Sequence, residues 1–392
     1  MKKGWPTKTL GEVCQFRGGG TPSKAVERYW LGNIPWVSPK DMKFDVVSDS
    51  IDHISQEAID GSATSLIPKN SVLMVVRSGI LARIVPIAIT GRDLTINQDL
   101  KALCPNGAMD ARFLYHLLDS KMDELLSMVS RGATVHRLMT DQIRNLDFVL
   151  PPLAEQQRIV GLLDEAFEGL ATAKANAEKN LQNARALFES HLQSVFTQRG
   201  AGWVETTLGE VIEIVGGSQP PKSVFSKTKK AENIRLIQIR DYKSDKHVVF
   251  IPRDQARRFC NADDVMIGRY GPPLFQILRG IEGAYNVALM KAVPDEAKLS
   301  RDFLFYFLKH SAILQYVIYH SSRAAGQIGV TKETLEPYPI ALPSLAEQRK
   351  VVENIQELET ETQRLARLYE RKHAALEALK KSLLHQAFTG QL

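Results

Sequence analysis

Arginine, asparagine and glutamine can make paired hydrogen bonds to base edges, while serine and threonine suit phosphate oxygens. In this 392-residue chain they collect in short polar segments between apolar runs. The first half holds Arg17 and Lys24 around Gly18-Gly19-Gly20, then Ser38-Pro39-Lys40-Asp41, Arg77-Ser78-Gly79, Thr95-Ile96-Asn97-Gln98 and Ser130-Arg131-Gly132-Ala133-Thr134-Val135-His136-Arg137. The second holds Lys222, Lys227-Thr228-Lys229-Lys230, Gln238-Ile239-Arg240, Arg269-Tyr270-Gly271 and Arg323-Ala324-Ala325-Gly326-Gln327. Candidate DNA contacts in one half are therefore Arg17, Lys24, Lys40, Arg77, Gln98, Arg131, Thr134, His136 and Arg137. Those in the other are Lys222, Lys229, Lys230, Gln238, Arg240, Arg269, Tyr270, Arg323 and Gln327. Polar loops are also simply polar, so residue type leaves each single position open.

Other chemistries have less to stand on. The glycines at 18–20 suggest a phosphate cradle, but neither a Gly-Lys-Ser/Thr ending nor Gly-x-Gly-x-x-Gly spacing is present, which excludes a nucleotide loop. Cys14, Cys104 and Cys260 are far apart and odd in number. That argues against a disulfide framework or zinc site and for a reducing compartment. The most apolar stretch, 73–90, contains Arg77 and Arg83 and is too short and charged to span a bilayer. With no apolar run after Lys2-Lys3 to act as a secretory signal, the chain reads as cytoplasmic, with no membrane partner. Of the net charge of +6, none comes from residues 152–199 and 343–392, which together hold 13 basic and 13 acidic side chains. The excess sits in the regions carrying the polar segments, which favours a polyanion partner there.

Something must hold these segments, and the chain builds the same holder twice. Trp5-Pro6-Thr7-Lys8-Thr9-Leu10-Gly11-Glu12-Val13 recurs as Trp203-Val204-Glu205-Thr206-Thr207-Leu208-Gly209-Glu210-Val211, an offset of 198. Asn97, Leu100 and Pro105 return as Asn286, Leu289 and Pro294 at 189, and Phe113 as Phe303 at 190. Landmarks repeat while the segments between them differ, as expected of one scaffold doing one job on two targets. Runs at 34–37, 71–76, 84–89 and 102–104 predict strands, 111–128 predicts a helix, and the opening predicts a strand entering a tight loop. The pattern is that of an α+β domain with a twisted sheet.

Residues 151–199 recur as 343–392 at an unbroken offset of 192: Leu153-Ala154-Glu155-Gln156 matches Leu345-Ala346-Glu347-Gln348, and Phe196-Thr197 matches Phe388-Thr389. Alternating steps of four and three select Ile159, Leu163, Ala166, Leu170, Ala173, Ala177, Asn180, Ala184, Leu187 and His191. The second copy gives Val351, Ile355, Leu358, Thr362, Leu365, Tyr369, Lys372, Leu376, Leu379 and Leu383. Both read as heptad seams, with Asn180 and Lys372 as polar positions able to set register. Two separate amphipathic helices, each lying on its own domain, are the alternative. A helix over 152–197 is about 65–70 Å long, against about 40 Å for a domain of the size of 203–342. Only antiparallel helices place the chain's exit and re-entry side by side. The expected architecture is thus two tandem α/β domains, 1–151 and 200–342, joined by helices 152–199 and 343–392 in an antiparallel coiled coil with a pseudo-two-fold axis.

The duplicated helix start, Leu150–Val160 and Leu342–Val352, with its Phe-Thr ending, resembles the specificity subunits of type I restriction–modification systems. That resemblance implies two target-recognition domains reading the halves of a split double-stranded DNA target, and helices that set the spacer and bind two methyltransferase (M) subunits. It further implies S-adenosylmethionine on the methyltransferase subunits, ATP and Mg2+ on restriction (R) subunits, and no cofactor or catalytic residue on this chain. The motifs agree with a non-catalytic part: there is no Asn-Pro-Pro-Tyr/Phe and no Walker A, and Glu296-Ala297-Lys298, beside Asp295, lacks nuclease spacing. A stand-alone two-part DNA-binding scaffold, or an enzyme in its own right, are the rival readings.

Overall fold

Each half opens by pairing its first residues with the segment that leads into its long helix. Thr7–Thr9 runs antiparallel to Asp147–Val149, and Val204–Thr207 antiparallel to Pro339–Leu342. The Leu-Gly-Glu-Val that follows does not extend the strand, as the sequence suggested; Leu10–Val13 and Leu208–Val211 are single helical turns. Glu12 explains the first, because its carboxylate accepts the Thr9 N–H at 2.7 Å and caps the turn while Leu10 and Val13 are buried. Glu210, at the place of Glu12, takes a hydrogen bond from the Thr206 hydroxyl, where Lys8 pairs with Glu12 in the first half.

The computed structural model of the chain describes residues 5–198, 200, 202–321 and 329–391, so Arg323 and Gln327 lie outside the described residues. The chain divides into two units, Met1–Ala177 with Arg371–Leu392, and Glu178–Glu370. In the first, a five-stranded sheet runs in the order Cys14–Gly18, Leu100–Pro105, Val72–Val75, Ile87–Thr90, Val46–Val47. A smaller sheet runs Asp52–Ile54, Ile34–Val37, Thr95–Ile96. Val72–Val75 is buried at every position, as an apolar run without alternation requires of a central strand. The expected strand at 84–89 begins only at Ile87, because Pro86 has no N–H to give to a ladder. The expected helix 111–128 breaks at Lys121 into Ala111–Ser120 and Met122–Ser127.

The second unit repeats this plan with four strands, Ile212–Gly216, Leu289–Pro294, Val265–Gly268 and Gln276–Leu278, and a second sheet around Asn233–Ile237. Helix Arg301–Lys309 stands where Ala111–Ser120 stands in the first. Both are capped by the preceding side chain: Asp110 accepts the N–H groups of Arg112 and Phe113, and Ser300 accepts that of Phe303.

The central helix (Leu153–Thr197) and the C-terminal helix (Leu345–Thr389) are each 45 residues long without interruption. They are antiparallel in both units: Lys174 pairs with Glu377 at 2.6 Å in the first, and Arg185 with Glu370 at 3.2 Å in the second. The seam needs a correction. Ile159, Leu163, Ala177 and Ile355 are buried, and Leu170, Val351, Leu358 and Leu365 half-buried, but Asn180, Leu187, Lys372 and Leu379 face solvent. Leu187 is 53% exposed and Leu379 47%. Past Ala177 the inner face moves on to Leu181, Ala184, Phe188 and Leu192; past Tyr369 it moves on to His373, Leu376, Lys380 and Leu384. The physical cause is geometric: a 3.5-residue stripe drifts about 20° per heptad on a helix of 3.6 residues per turn. The drift also turns each helix end toward a core, since Leu192 and Phe196 are buried in that of the second unit and Leu384 and Ala387 in that of the first. Asn180 and Lys372 therefore set no register.

Candidate nucleic-acid interface

Two parallel strands release the polar segments side by side. Trp36 and Val37 pair with Thr95 and Ile96, so the turn 38–41 and the segment 97–99 leave the same strand ends. In the second unit Leu236 and Ile237 pair in parallel with Ala284 and Tyr285, releasing 238–241 beside 286–288. The Asn97 N–H donates to Val37 O at 2.9 Å and the Asn286 N–H to Ile237 O at 3.1 Å. Each asparagine then turns its chain: Asn97 Oδ1 accepts the Asp99 N–H and Asn286 Oδ1 that of Ala288, local bonds that favour loop over strand.

The glycines belong to this arrangement. A Cβ on Gly19 would sit 2.1 Å from the carbonyl oxygens of Ile96 and Asn97, and one on Gly217 would sit 1.9 Å from that of Asn286. Backbone packs on backbone there, so the glycines serve close approach. The neighbouring turn is closed by a carboxylate: Asp41 accepts both the N–H and hydroxyl of Ser38, at 2.9 and 2.8 Å, and Asp241 accepts the Gln238 N–H at 3.1 Å. Burial pushes the Asp241 carboxyl up, opposed by Gln238 N–H and by Arg235. Lys40 and Arg240 are left exposed on equivalent turns.

A third segment joins at the adjacent strand end. Asp99 O accepts the N–H groups of Val76 and Arg77. Arg77-Ser78 then pairs antiparallel with His136-Arg137, in the register Arg77 opposite Arg137 and Ser78 opposite His136. Reciprocal bonds between Ser130 and Arg137 close a hairpin around Arg131 and Thr134, both exposed. The counterpart in the second unit is built from Arg269, whose N–H donates to Ala288 O and whose O accepts the Val330 N–H. The Arg269 guanidinium donates to Val330 O at 3.1 Å and lies 5.2 Å from the centre of the Tyr270 ring.

Arg77, Arg131, Thr134, His136, Arg137, Gln98 and Lys40 thus gather along connected loops of the first unit, and Gln238, Arg240, Arg269 and Tyr270 along those of the second. Gln98 accepts the Thr21 hydroxyl at 2.5 Å, which ties in the glycine loop; Lys24 follows on that loop, exposed, as does Lys222 on its counterpart. Other candidates are already engaged. Arg17 spends its guanidinium on Gln15 and on Leu66 O, which holds two parts of the fold together. Lys40 pairs with Asp52 at 2.7 Å, and that hydrogen bond raises its pKa. Lys229 and Lys230 precede the start of strand Asn233–Ile237, the end opposite the one that releases Gln238. Asp99 went unremarked in the sequence, yet it organises the Arg77 backbone and lies 3.7 Å from the Arg77 side chain. Its only signal is an acid set among candidate contacts.

The sequence profile of the Type I restriction modification DNA specificity domain matches residues 2–181 and again residues 201–370. The chain belongs to that family. Over 160 residues it is 41% identical to the EcoR124I/EcoR124II specificity subunit of Escherichia coli, covering 40% of this chain and 40% of that protein. Over 256 residues it is 26% identical to the MjaIX specificity subunit of Methanocaldococcus jannaschii, covering 60% of this chain and 58% of that one. The matched stretches therefore span less than two thirds of either relative. Among solved structures, a chain from work on assembly and conformational transition of the type I R-M system superposes with a TM-score of 0.80 at 22% identity, covering 100% of this chain and 99% of that one. The HsdS subunit from Thermoanaerobacter tengcongensis gives 0.61 at 22% identity, covering 100% and 98%. At that identity the likeness is one of fold.

Within the specificity-domain family's framework, the duplicated Leu-Ala-Glu-Gln acquires a physical role. Gln156 is fully buried; it accepts the Asp110 N–H at 2.8 Å and donates to Ala108 O and Pro151 O at 2.8 and 2.9 Å. Gln348 accepts the Ser300 N–H at 2.9 Å and donates to Lys298 O and Pro343 O at 2.7 and 3.0 Å. Each glutamine clasps the start of a long helix to the N-cap of the domain helix. The closing phenylalanines do the reverse job: Phe388 packs on Phe113, with ring centres 5.1 Å apart, and Phe196 packs on Phe303 at 5.3 Å. Each long helix begins against one domain helix and ends against the other.

Proposed function

We propose that this chain is the DNA-recognition subunit of a type I restriction–modification complex. Each globular part reads one half of a two-part double-stranded DNA target, while the paired helices set the unread spacer and dock two methyltransferase subunits. Restriction subunits join that complex. S-adenosylmethionine is carried by the methyltransferase subunits, ATP and Mg2+ by the restriction subunits, and this chain supplies selection without catalysis. The observation that carries the proposal is the contrast between what repeats and what does not. Gln156 and Gln348 make the same three hydrogen bonds, whereas the released edges carry different residues, Arg77 with Arg137 against Arg269 with Tyr270. One framework presenting two different readers is what a split asymmetric target requires, as half-site geometry follows protein geometry in dimeric DNA-binding proteins.

Co-expression with a neighbouring methyltransferase subunit tests it. The expected result is a stable complex of two such subunits with one copy of this chain, methylating adenines within a two-part sequence. A chain that binds DNA sequence-specifically but recruits no methyltransferase would favour the stand-alone scaffold. Inserting four residues within 171–178 and within 363–370 lengthens both helices by about 6 Å, near two base-pair steps. Mapped sites should keep both half-sequences and lengthen the spacer. Changed half-sequences with an unchanged spacer would defeat the spacing role.

A further inference from the structure

Arg77 and Arg137 stand directly opposite each other in an antiparallel pair. Residues so placed project from the same face of the ladder, and like charges there weaken the pairing. Both side chains are exposed. One acid approaches the pair, Asp99, at 3.7 Å from Arg77, and Arg137 has no ion-pair partner among the described residues. The other face carries Ser78 and His136, both half-buried, so the ribbon has an inner and an outer side. Val135, two residues before Arg137, is 40% exposed. A narrow two-stranded ribbon with two guanidinium groups side by side and one carboxylate for the pair is a poor solution for stability and a good one for a ligand. A ribbon of this kind fits the major groove of duplex DNA, where an arginine fork matches guanine O6 and N7. The Cα atoms of opposed residues are about 4.5–5.5 Å apart, between one and two rises of about 3.4 Å along a DNA strand.

We propose that the ribbon of Arg77-Ser78 and His136-Arg137 enters the major groove of the first half-target, where Arg77 and Arg137 read guanines on neighbouring base pairs. This rests on the DNA-recognition function proposed above. Among the described residues the device occurs in the first half only. Gly329, at the helix offset of 192 from Arg137, carries no side chain, and a Cβ added there would meet the Tyr270 ring at 2.5 Å. The second half uses a stacked Arg269–Tyr270 pair instead.

The test uses the full chain with its methyltransferase subunits, comparing Arg77→Ala, Arg137→Ala and Arg137→Lys by genome-wide methylation mapping and by competition binding. Each alanine variant should relax the preference for guanine at one position of the first half-target by about 5- to 150-fold. The second half-target should be unchanged, which also reports that the variant folds. Arg137→Lys keeps the charge and loses the fork, so it should keep the salt dependence of binding and still lose the preference. Replacing the guanine by 7-deazaguanine, which lacks N7, should weaken the wild type and not the matching alanine variant. A uniform loss over all sequences, with the salt slope shallower by about 0.9, would make the arginines phosphate contacts and overturn the proposal. So would unchanged preference in every variant. A wild-type complex with no sequence preference would instead defeat the recognition function itself.

Discussion

The two halves agree at their clasps and disagree at their edges. Gln156 and Gln348 make matching hydrogen bonds, and Phe113 and Phe303 each receive the last phenylalanine of a long helix. At the edges the same backbone scheme, a parallel strand pair with an asparagine turn, presents Arg77 with Arg137 in one half and Arg269 with Tyr270 in the other. The difference teaches where variation is cheap. A clasp glutamine with three buried bonds cannot change alone without orphaning a donor and two acceptors, whereas an exposed loop side chain can change at almost no cost in stability. What the two halves share is therefore held in the clasps, and what separates them lies at the edges.

The largest effects should come from the helix ends. Phe196→Ala and Phe388→Ala each remove a buried or half-buried aromatic and should cost about 3–5 kcal/mol. Hydrogen exchange should rise in the helix each one touches, Arg301–Lys309 for Phe196 and Ala111–Ser120 for Phe388. Protection lost in the opposite helix would break the crossed pairing of helix starts and ends. Next, Gln156→Ala and Gln348→Ala should each destabilise by roughly 3 kcal/mol, from the hydrogen bonds lost and the groups left unpaired. Equal shifts in urea midpoint are expected, and a marked inequality would show that the two clasps are alike in geometry only.

A pH series sharpens the comparison further. Burial lowers the pKa of His116 in one half and of His310 in the other. Hydrogen bonding to Asp164 opposes the shift for His116, and the Phe307 carbonyl opposes it for His310. The unfolded chain takes up these protons near pH 6.5, and the folded imidazoles take them up only at lower pH. The associated stability is therefore present above about pH 6.5 and is lost as the pH falls through the depressed values. Urea midpoints should drop between pH 7.5 and 5, and the slope should flatten in His310→Phe and in His116→Phe. A slope untouched by either change would place the acid sensitivity elsewhere. The smallest effect belongs to the exposed pair Arg185–Glu370, whose side chains are 64% and 55% accessible. Arg185→Ala should cost about 0.5 kcal/mol or less and should vanish at high salt, measurable by double-mutant cycle.

From the sequence alone came the duplication, the continuous helices and their antiparallel course. These are legible because periodicity and repeat offset are properties of the chain itself, and chain length decides orientation. The polar segments were legible as a class, since residue type sets hydrogen-bonding capacity. Which of them meet was not. The gathering of 38–41, 97–99 and 77–78 follows from strand ends separated by tens of residues, and a pattern of local residue types carries no record of that pairing. The same holds for Arg17, whose type suggests a contact while its guanidinium is committed to Leu66 O. The seam shows the limit most clearly. A strict heptad placed Asn180, Leu187, Lys372 and Leu379 inside, but the accumulated drift of a real helix and the cores at its ends turned them to solvent. What the sequence determined by itself was the framework and its repeat. Tertiary structure alone decided which side chains share an edge, because it sets strand ends beside one another that are far apart along the chain.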